Sequence, residues 1–349
     1  MTGVGGGLCV VTGGGGHVGV NLVRELLAQG IRTRVTDVRE PRSLVGLGAE
    51  WVAADVRDAR AMRAAFDGAD VVYHLAAVIS VAGGLGGLVH QVNVDGVGCA
   101  AEAALDAGVR RFVHCSSVHA YDLAGIAGST VDETGPRATR RRLPAYDRSK
   151  AAGERRLHEV IDRGLDAVVV NPTGVIGAVD EAPSRVGTAL LVAWQGRLPA
   201  VVAGGFDWVD VRDVVLGLLA AADRGRRGEN YLLPGHRLSI RELVDAACAI
   251  ADVRPPRITV PLWLARLWSP AATAMARSNP DPLLYTADTL HALASFPRVD
   301  GAKAARELGH RPRPYRESLA DLHAFFVRTG ALGALSVRER PHRPGGAPM

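Results

Sequence analysis

The sequence predicts an α/β chain in which a doubly wound parallel sheet carries a smaller, mostly helical second unit. Three observations lead there. As far as residue 175, short β-rich runs alternate with stretches whose apolar residues recur at helical spacing. A glycine cluster stands where the first run gives way to the first helical stretch. Past Pro172 the alternation stops, and glycine, alanine and proline take over.

The elements follow in order. Leu8 to Thr12, Arg32 to Asp37, Glu50 to Ala54, Asp70 to Leu75, Arg111 to Ser116 and Asp166 to Pro172 read as strands. Val18, Leu22 and Leu26, then Met62 and Phe66, mark intervening helices. Strand and helix in alternation require right-handed crossovers, which is the Rossmann architecture. Beyond it, one helix-like run spans Gly187 to Gln195, Phe206 to Asp223 reads as a helix, and Asn230 to Leu233 as a strand returning to the sheet. Residues 239–328 are mostly helical with proline breaks. Pro261 to Ala276, with Trp263 and Trp268, is expected to pack as a pocket wall or lid. It has one arginine and no basic face, which counts against a membrane anchor. Residues 1–177 and 206–235 are therefore assigned to the sheet domain and 178–205 with 236–330 to a substrate-binding lid. The polar, Pro/Gly-rich stretch 331–349 is expected to be unstructured.

Composition narrows the function. The chain has 349 residues, 48% apolar, 22% charged and 5% aromatic, enough for a large core and too apolar for disorder. The charge of +5 comes from 41 basic and 36 acidic residues spread along the chain, with no basic stripe of interleaved aromatics, so nucleic acid is not an expected partner. Cys9, Cys99, Cys115 and Cys248 form no C-x-x-C pair and read as buried, reduced thiols, with no metal site. No apolar run reaches the ~20 residues of a membrane span, and a cytoplasmic protein without a membrane partner is expected. Only two of the basic residues are lysine, Lys150 and Lys303. Lys303 has no context and reads as a surface residue.

Thr12-Gly13-Gly14-Gly15-Gly16-His17-Val18-Gly19 follows the first strand and opens a helix. A turn that brings backbone to a pyrophosphate needs residues without side chains, and the helix terminus then offers free N–H groups. Gly13 allows the tight turn, Gly16 the close approach and Gly19 the helix packing, with His17 and Val18 opening the helix. Asp37, at the end of the second strand, is placed to accept the adenosine ribose hydroxyls and repel a 2′-phosphate, which favours NAD. Arg39 leaves NADP open. Asp55 and Val56 are placed to edge the adenine, and a helix cap at Asp55 is an equally good reading.

Tyr146 and Lys150 form Y-x-x-x-K, so phenol and ammonium share a helix face. A tyrosine titrates near ~10, and a fixed lysine charge with a positive nicotinamide can lower it enough for proton transfer. In a chain with two lysines, this one is not a random basic position. Ser117, ending the strand through Phe112 and Val113, can hydrogen-bond the same substrate oxygen.

Here the sequence resembles the extended short-chain dehydrogenase/reductase superfamily over about residues 8–330. The glycine turn carries the resemblance together with His74-Leu75-Ala76-Ala77, Val92-Asn93-Val94-Asp95-Gly96, Cys115-Ser116-Ser117-Val118, Tyr146-Asp147-Arg148-Ser149-Lys150 and Asn171-Pro172-Thr173-Gly174-Val175. It implies that Ser117, Tyr146 and Lys150 are catalytic, with Leu75, Ala76, Ala77, Asn93, Lys150 and Pro172 to Val175 lining the cofactor. It also implies a homodimer paired through Val92 to Ala107 and Tyr146 to Ile161.

Two groups within the branch compete. Nucleotide-sugar epimerases and dehydratases usually place an arginine where this chain has Phe206, before Asp207-Trp208-Val209-Asp210. The run from Gly205 to Val214, with Gly228 to Leu233 and Leu308 to Pro314, is instead similar to bacterial relatives of dihydroflavonol 4-reductase and 3β-hydroxysteroid dehydrogenase. The expected activity is hydride transfer between NAD(P) and a ketone, aldehyde or secondary alcohol of a moderately apolar small molecule. An epimerase or dehydratase with tightly held NAD is the alternative, and a silent dinucleotide sensor a third reading. Substrate contacts are expected from Ser80, His119, Tyr121 and Trp208. A glycine-rich loop, Gly83 to Gly87, would give room above the nicotinamide.

Overall fold

The computed structural model describes residues 7–81, 83–125, 130–278 and 285–334. β1 (Leu8–Thr12) leads to α1 (His17–Ala28), β2 (Thr33–Asp37), β3 (Glu50–Ala53), α2 (Ala59–Phe66) and β4 (Ala69–His74). A short turn, α3 (Leu88–His90), runs through a wide turn at Gln91–Asp95 into α4 (Gly96–Asp106) and β5 (Arg111–Cys115). β6 (Thr130–Val131), α5 (Ala145–Ile161) and β7 (Ala167–Pro172) complete the alternating half. After it come β8 (Gly174–Ile176), α6 (Arg185–Trp194), β9 (Ala200–Val202), β10 (Gly205–Asp210), α7 (Val211–Arg224), β11 (Asn230–Leu233) and β12 (His236–Ser239). The remainder is α8 (Ile240–Ile250), β13 (Ile258–Val260), α9 (Leu262–Ser278), α10 (Ala287–Ser295), β14 (Arg298–Val299), α11 (Ala302–Glu307), α12 (Tyr315–Arg328) and α13 (Ala331–Ala334).

The central sheet has seven strands in the order β11-β7-β5-β4-β1-β2-β3, every pair parallel. Its middle strands are buried on both faces, which is why Leu8 to Thr12 and Ala167 to Pro172 are nearly continuous apolar runs. α1 turns Val20, Leu22, Val23 and Leu26 onto Val11 and Val35, each side chain worth about 1.5–3 kcal/mol when fully buried. On the other face Ala100, Ala101 and Ala104 of α4 and Leu157 and Val160 of α5 cover Val72, Phe112 and Val169. The strand order reverses between β1 and β4. That leaves a crevice at the carboxyl ends of these strands, where such sheets bind ligands.

Several expectations need correcting. Phe206 to Asp223 is not one helix: β10 pairs with β8 and β12 in a separate three-stranded sheet, and α7 starts only at Val211. Asp210 makes the boundary by accepting the N–H of Arg212 in its side chain. Both faces of β10 are buried, so its apolar residues run on into those of α7 without a change of period. Residues 206–210 thus leave the large sheet, while β11 returns to it as expected. Residues 331–334 form a helical turn instead of starting a loose tail, because Gln195 donates to the Leu332 carbonyl at 2.7 Å and Leu332 packs on the second core. Residues 335–349 lie outside the described residues.

Lys303 is no loose surface residue. Its ammonium donates to Glu229 at 2.5 Å and the Asn230 carbonyl at 2.7 Å, above the Tyr231 ring. Trp194 is buried and donates to the Ala247 carbonyl at 2.8 Å. Trp263 and Trp268, expected as wall or lid, are 65% and 72% exposed. The four cysteines are free, Cys99 half-buried and the others buried. Among the described residues no helix is long and apolar enough to cross a membrane, and no cluster of His, Cys, Asp or Glu could hold a metal.

Candidate active site

The glycine turn closes over the crevice. Gly13 has φ +66°, and a Cβ there would stand 2.6 Å from the Ala76 Cα, so backbone conformation and close approach both demand glycine. A Cβ on Gly19 would strike the Gly13 carbonyl, which fixes how tightly α1 leaves the turn. Gly16 differs: it is exposed, and a Cβ would meet only the Gly13 oxygen, at 3.4 Å. As the cap of α1 it has no side-chain acceptor, and the first turn holds no acid, so no cap side chain or local carboxylate satisfies the leading N–H groups of the helix. This cradle fits a dinucleotide pyrophosphate.

Asp37 sits beside that cradle. One oxygen accepts the Gly15 N–H at 3.1 Å and the other the Val38 N–H at 2.7 Å, which orients the carboxylate at the end of β2. Arg39 is exposed. Asp55 is not a helix cap: Asp58 caps α2, and Asp55 instead chelates Arg57 at 2.6 Å. Those bonds hold its carboxyl below the usual range, the Arg57 hydrogen bond outweighing desolvation. Val56 beside it is buried. The His17 ring is bonded to the Gly177 carbonyl at 2.9 Å, which ties the turn to the loop after β8. Val18 packs half-buried on the α1 core.

The floor of the crevice is held by backbone bonds. Thr12 Oγ1 contacts the His74 ring at 2.9 Å and accepts the N–H groups of Leu75 and Ala76, so that Leu75, Ala76 and Ala77 lie half-exposed above β1. Asn93, from the wide turn before α4, bonds both backbone groups of Val78 and donates to Ser149 Oγ at 3.0 Å. Its amide is occupied in joining the loop after β4 to α5. Pro172 ends β7, Thr173 crosses to the Leu233 carbonyl, and Gly174 and Val175 enter the small sheet, where a Cβ on Gly174 would meet the Trp208 ring.

Ser117, Tyr146 and Lys150 come together at the carboxyl end of β5. Lys150 is buried one helical turn beyond Tyr146, its Nζ 5.9 Å from the phenol ring centre and 3.4 Å from the Cys115 carbonyl. Burial pushes the Tyr146 phenol above its ordinary value, a Ser117 hydrogen bond works against that, and the Asp147 charge adds to the rise. The expected lowering by Lys150 is therefore not what dominates in the protein by itself. Burial likewise pulls the Lys150 ammonium below its ordinary value, against the fields of Cys115 and Glu154.

The four expected substrate contacts divide. His119 stands at the site: Nδ1 is 3.1 Å from an Asp147 oxygen, the ring edge meets Tyr146 at 5.6 Å, and its face stacks on Phe206 at 5.3 Å. Tyr121 has no exposed surface and lies under the Arg137 guanidinium, 4.2 Å from the ring centre, which removes it from substrate. Ser80 is buried with its hydroxyl on the Gly83 carbonyl at 2.6 Å, holding the loop. Trp208 is buried edge-on to Phe206. Two residues were missed from sequence. Asp147, inside the Y-x-x-x-K spacing, pairs with His119, and Glu154, two turns beyond Tyr146, is a buried acceptor for Ser116, Asn171, Asn230 and Arg137. Glu154 lies four residues after Lys150 on the same face, which is the signal that could have found it.

Comparison with known proteins shows the family of the chain. The profile of the NAD dependent epimerase/dehydratase family matches residues 9–233. "Sterol demethylase protein B" of Methylococcus capsulatus is 36% identical over 336 residues, covering 93% of this chain and 99% of that protein. A "putative dihydroflavonol 4-reductase" of Synechocystis is 32% identical over 330 residues, 92% of this chain and 94% of that one. The crystal structure of gox2253 superposes with a TM-score of 0.79 at 30% identity, over 93% of this chain and 98% of that one.

Proposed function

This chain belongs to the NAD dependent epimerase/dehydratase family, and on that premise we propose that it is an oxidoreductase acting on a ketone or secondary alcohol of an apolar, ring-bearing small molecule. The observation that carries the substrate class is the aromatic wall beside the phenol. Where a phosphate-gripping arginine would stand, Phe206 stacks on His119, which touches Tyr146 in turn. Such a wall favours an apolar ring over a sugar nucleotide pyrophosphate. The sterol and dihydroflavonol named for the two relatives are molecules of this kind.

The α1 terminus and Asp37 would hold NAD, which would supply or accept the hydride. Tyr146 gives its hydroxyl proton to the carbonyl oxygen in reduction and takes one from the carbinol in oxidation. Ser117 polarises the same oxygen, and buried Lys150 places a positive charge and ribose-directed donors beneath the phenol. His119, fixed by Asp147, forms the substrate side of the pocket. Asn93, Ser80 and Trp208 act by holding the loops and sheet around it. A homodimer through α4 and α5 completes the reading.

The test is purification, identification of any released dinucleotide, and assay with NADH against polycyclic ketones and against nucleotide sugars. NADH oxidation with the ketones is the expected result. Turnover of nucleotide sugars without net NADH consumption would replace this reading by an epimerase.

A further inference from the structure

The ladder between β5 and β7 ends one bond early, and a side chain supplies the missing donor. The last cross-strand bond of this parallel pair runs from the Ser116 N–H to the Val170 carbonyl, at 2.8 Å. Alternate residues donate in such a ladder, so the next N–H should come from two places beyond Val170, to the Ser116 carbonyl. That residue is Pro172, which has no N–H to give. Ser117 therefore stands just past the last rung, where the short turn Val118–Ala120 begins.

Asn171, beside that proline, takes over. Its Nδ2 donates to the Ser117 carbonyl at 3.0 Å and to Glu154 Oε1 at 2.6 Å, and its Oδ1 accepts from Asn230 Nδ2 at 2.8 Å. A carbonyl and an ionised carboxylate only accept, so the amide can stand in one orientation alone. Asn171 has no exposed surface and both its N–H groups are taken, which leaves no donor for a cofactor or substrate. Any effect it has on a bound molecule must pass through the residues it holds.

We propose that Asn171 is a positioning residue, which holds the Ser117 peptide so that the hydroxyl reaches both Tyr146 and the reacting oxygen. The proposal rests on the reading of Ser117 as the group that polarises that oxygen. Ser117 Oγ accepts the His119 N–H at 3.2 Å and is hydrogen-bonded to the Tyr146 phenol. Where that hydroxyl points follows from where its peptide is held. Ser116 shares the anchor, donating its hydroxyl to the same Glu154 oxygen at 2.5 Å, but the Asn171 bond is the one made to residue 117 itself.

The experiment is a double-mutant cycle of Asn171→Ala with Ser117→Ala, read by NADH turnover of the bicyclic ketone 2-decalone, together with crystal structures of the parent and Asn171→Ala. In the parent background Asn171→Ala is expected to lower kcat about tenfold to a hundredfold, with the calorimetric affinity for NADH unchanged. On Ser117→Ala no hydroxyl is left to aim, and the same substitution should change kcat by less than about threefold. Equal losses in the two backgrounds, or no loss in either, would overturn the proposal. Asn171→Ser is run through the same cycle in case the alanine variant does not fold, because one hydroxyl proton can serve Glu154 or Ser117 but not both. In the variant crystals the Ser117 hydroxyl should have left the His119 N–H and the Tyr146 phenol. A hydroxyl still in place overturns the proposal whatever the kinetics. A displaced hydroxyl in a protein whose parent reduces no ketone leaves the positioning role standing and overturns the oxidoreductase reading.

Discussion

Asn171 donates its side-chain amide to Glu154 Oε1 at 2.6 Å, joining the carboxyl end of β7 to the buried face of α5. Ser116, from the end of β5, bonds the same oxygen at 2.5 Å, and Asn230 of β11 bonds the other at 2.9 Å. Three strand ends are thereby fixed against the helix that carries Tyr146 and Lys150.

Removing that acceptor should therefore damage both stability and the site. Glu154→Ala leaves four donors without their partner and is expected to cost about 3–5 kcal/mol in urea unfolding. Glu154→Gln keeps the shape and part of the bonding, and should cost less while raising KM for NADH. Equal stability of Glu154→Ala and the parent would show that the network carries no load.

Tyr146→Phe is expected to lower kcat by about a hundredfold to ten-thousandfold while calorimetric titration with NADH is unchanged. Asp147→Asn gives a pH test with a definite sign. Burial and then the Asp147 charge raise the phenol, so neutralising that charge lets it ionise at lower pH. Oxidation needs the ionised phenol, and its rising limb should move to lower pH in Asp147→Asn. Ser117 and Lys150 keep their partners in this variant, while His119, whose ring edge meets the phenol, loses its anionic partner and is followed separately with His119→Ala. A limb that stays in place would assign it to another group.

Asp37→Ala removes the carboxylate that Gly15 orients. Titration calorimetry should show NADH binding about tenfold weaker and NADPH weakened less, since the repulsion of a 2′-phosphate goes as well. Equal losses for the two would detach Asp37 from cofactor choice.

Buried histidines set the acid side of stability. His74 and His114 stack at 5.4 Å inside the sheet, and burial pulls His74 down to about 3 and His114 well below its ordinary value. Below about pH 6.5 the unfolded chain binds protons that the folded chain refuses, so stability falls as pH drops from there toward 3. Each histidine contributes up to about 1.4 kcal/mol per pH unit in that window. Thermal melts of His114→Phe should show a shallower loss between pH 6.5 and 5 than the parent.

What the sequence determined by itself was local or periodic. The six early strands, the glycine turn into α1 and the i, i+4 pairing of Tyr146 with Lys150 follow from backbone sterics and helical or strand spacing, and all three stand in the fold. Only the tertiary structure decided which side chains meet across strands. Whether Tyr121 faces substrate or Arg137, whether β10 joins the large sheet or β8 and β12, and whether the α9 tryptophans are covered depend on contacts between distant segments. The Asp147–His119 pair shows the reason: Asp147 lies on a readable helix and His119 on a turn after another strand. Their 3.1 Å separation exists because β5 and α5 pack together, a relation with no periodic trace in the chain.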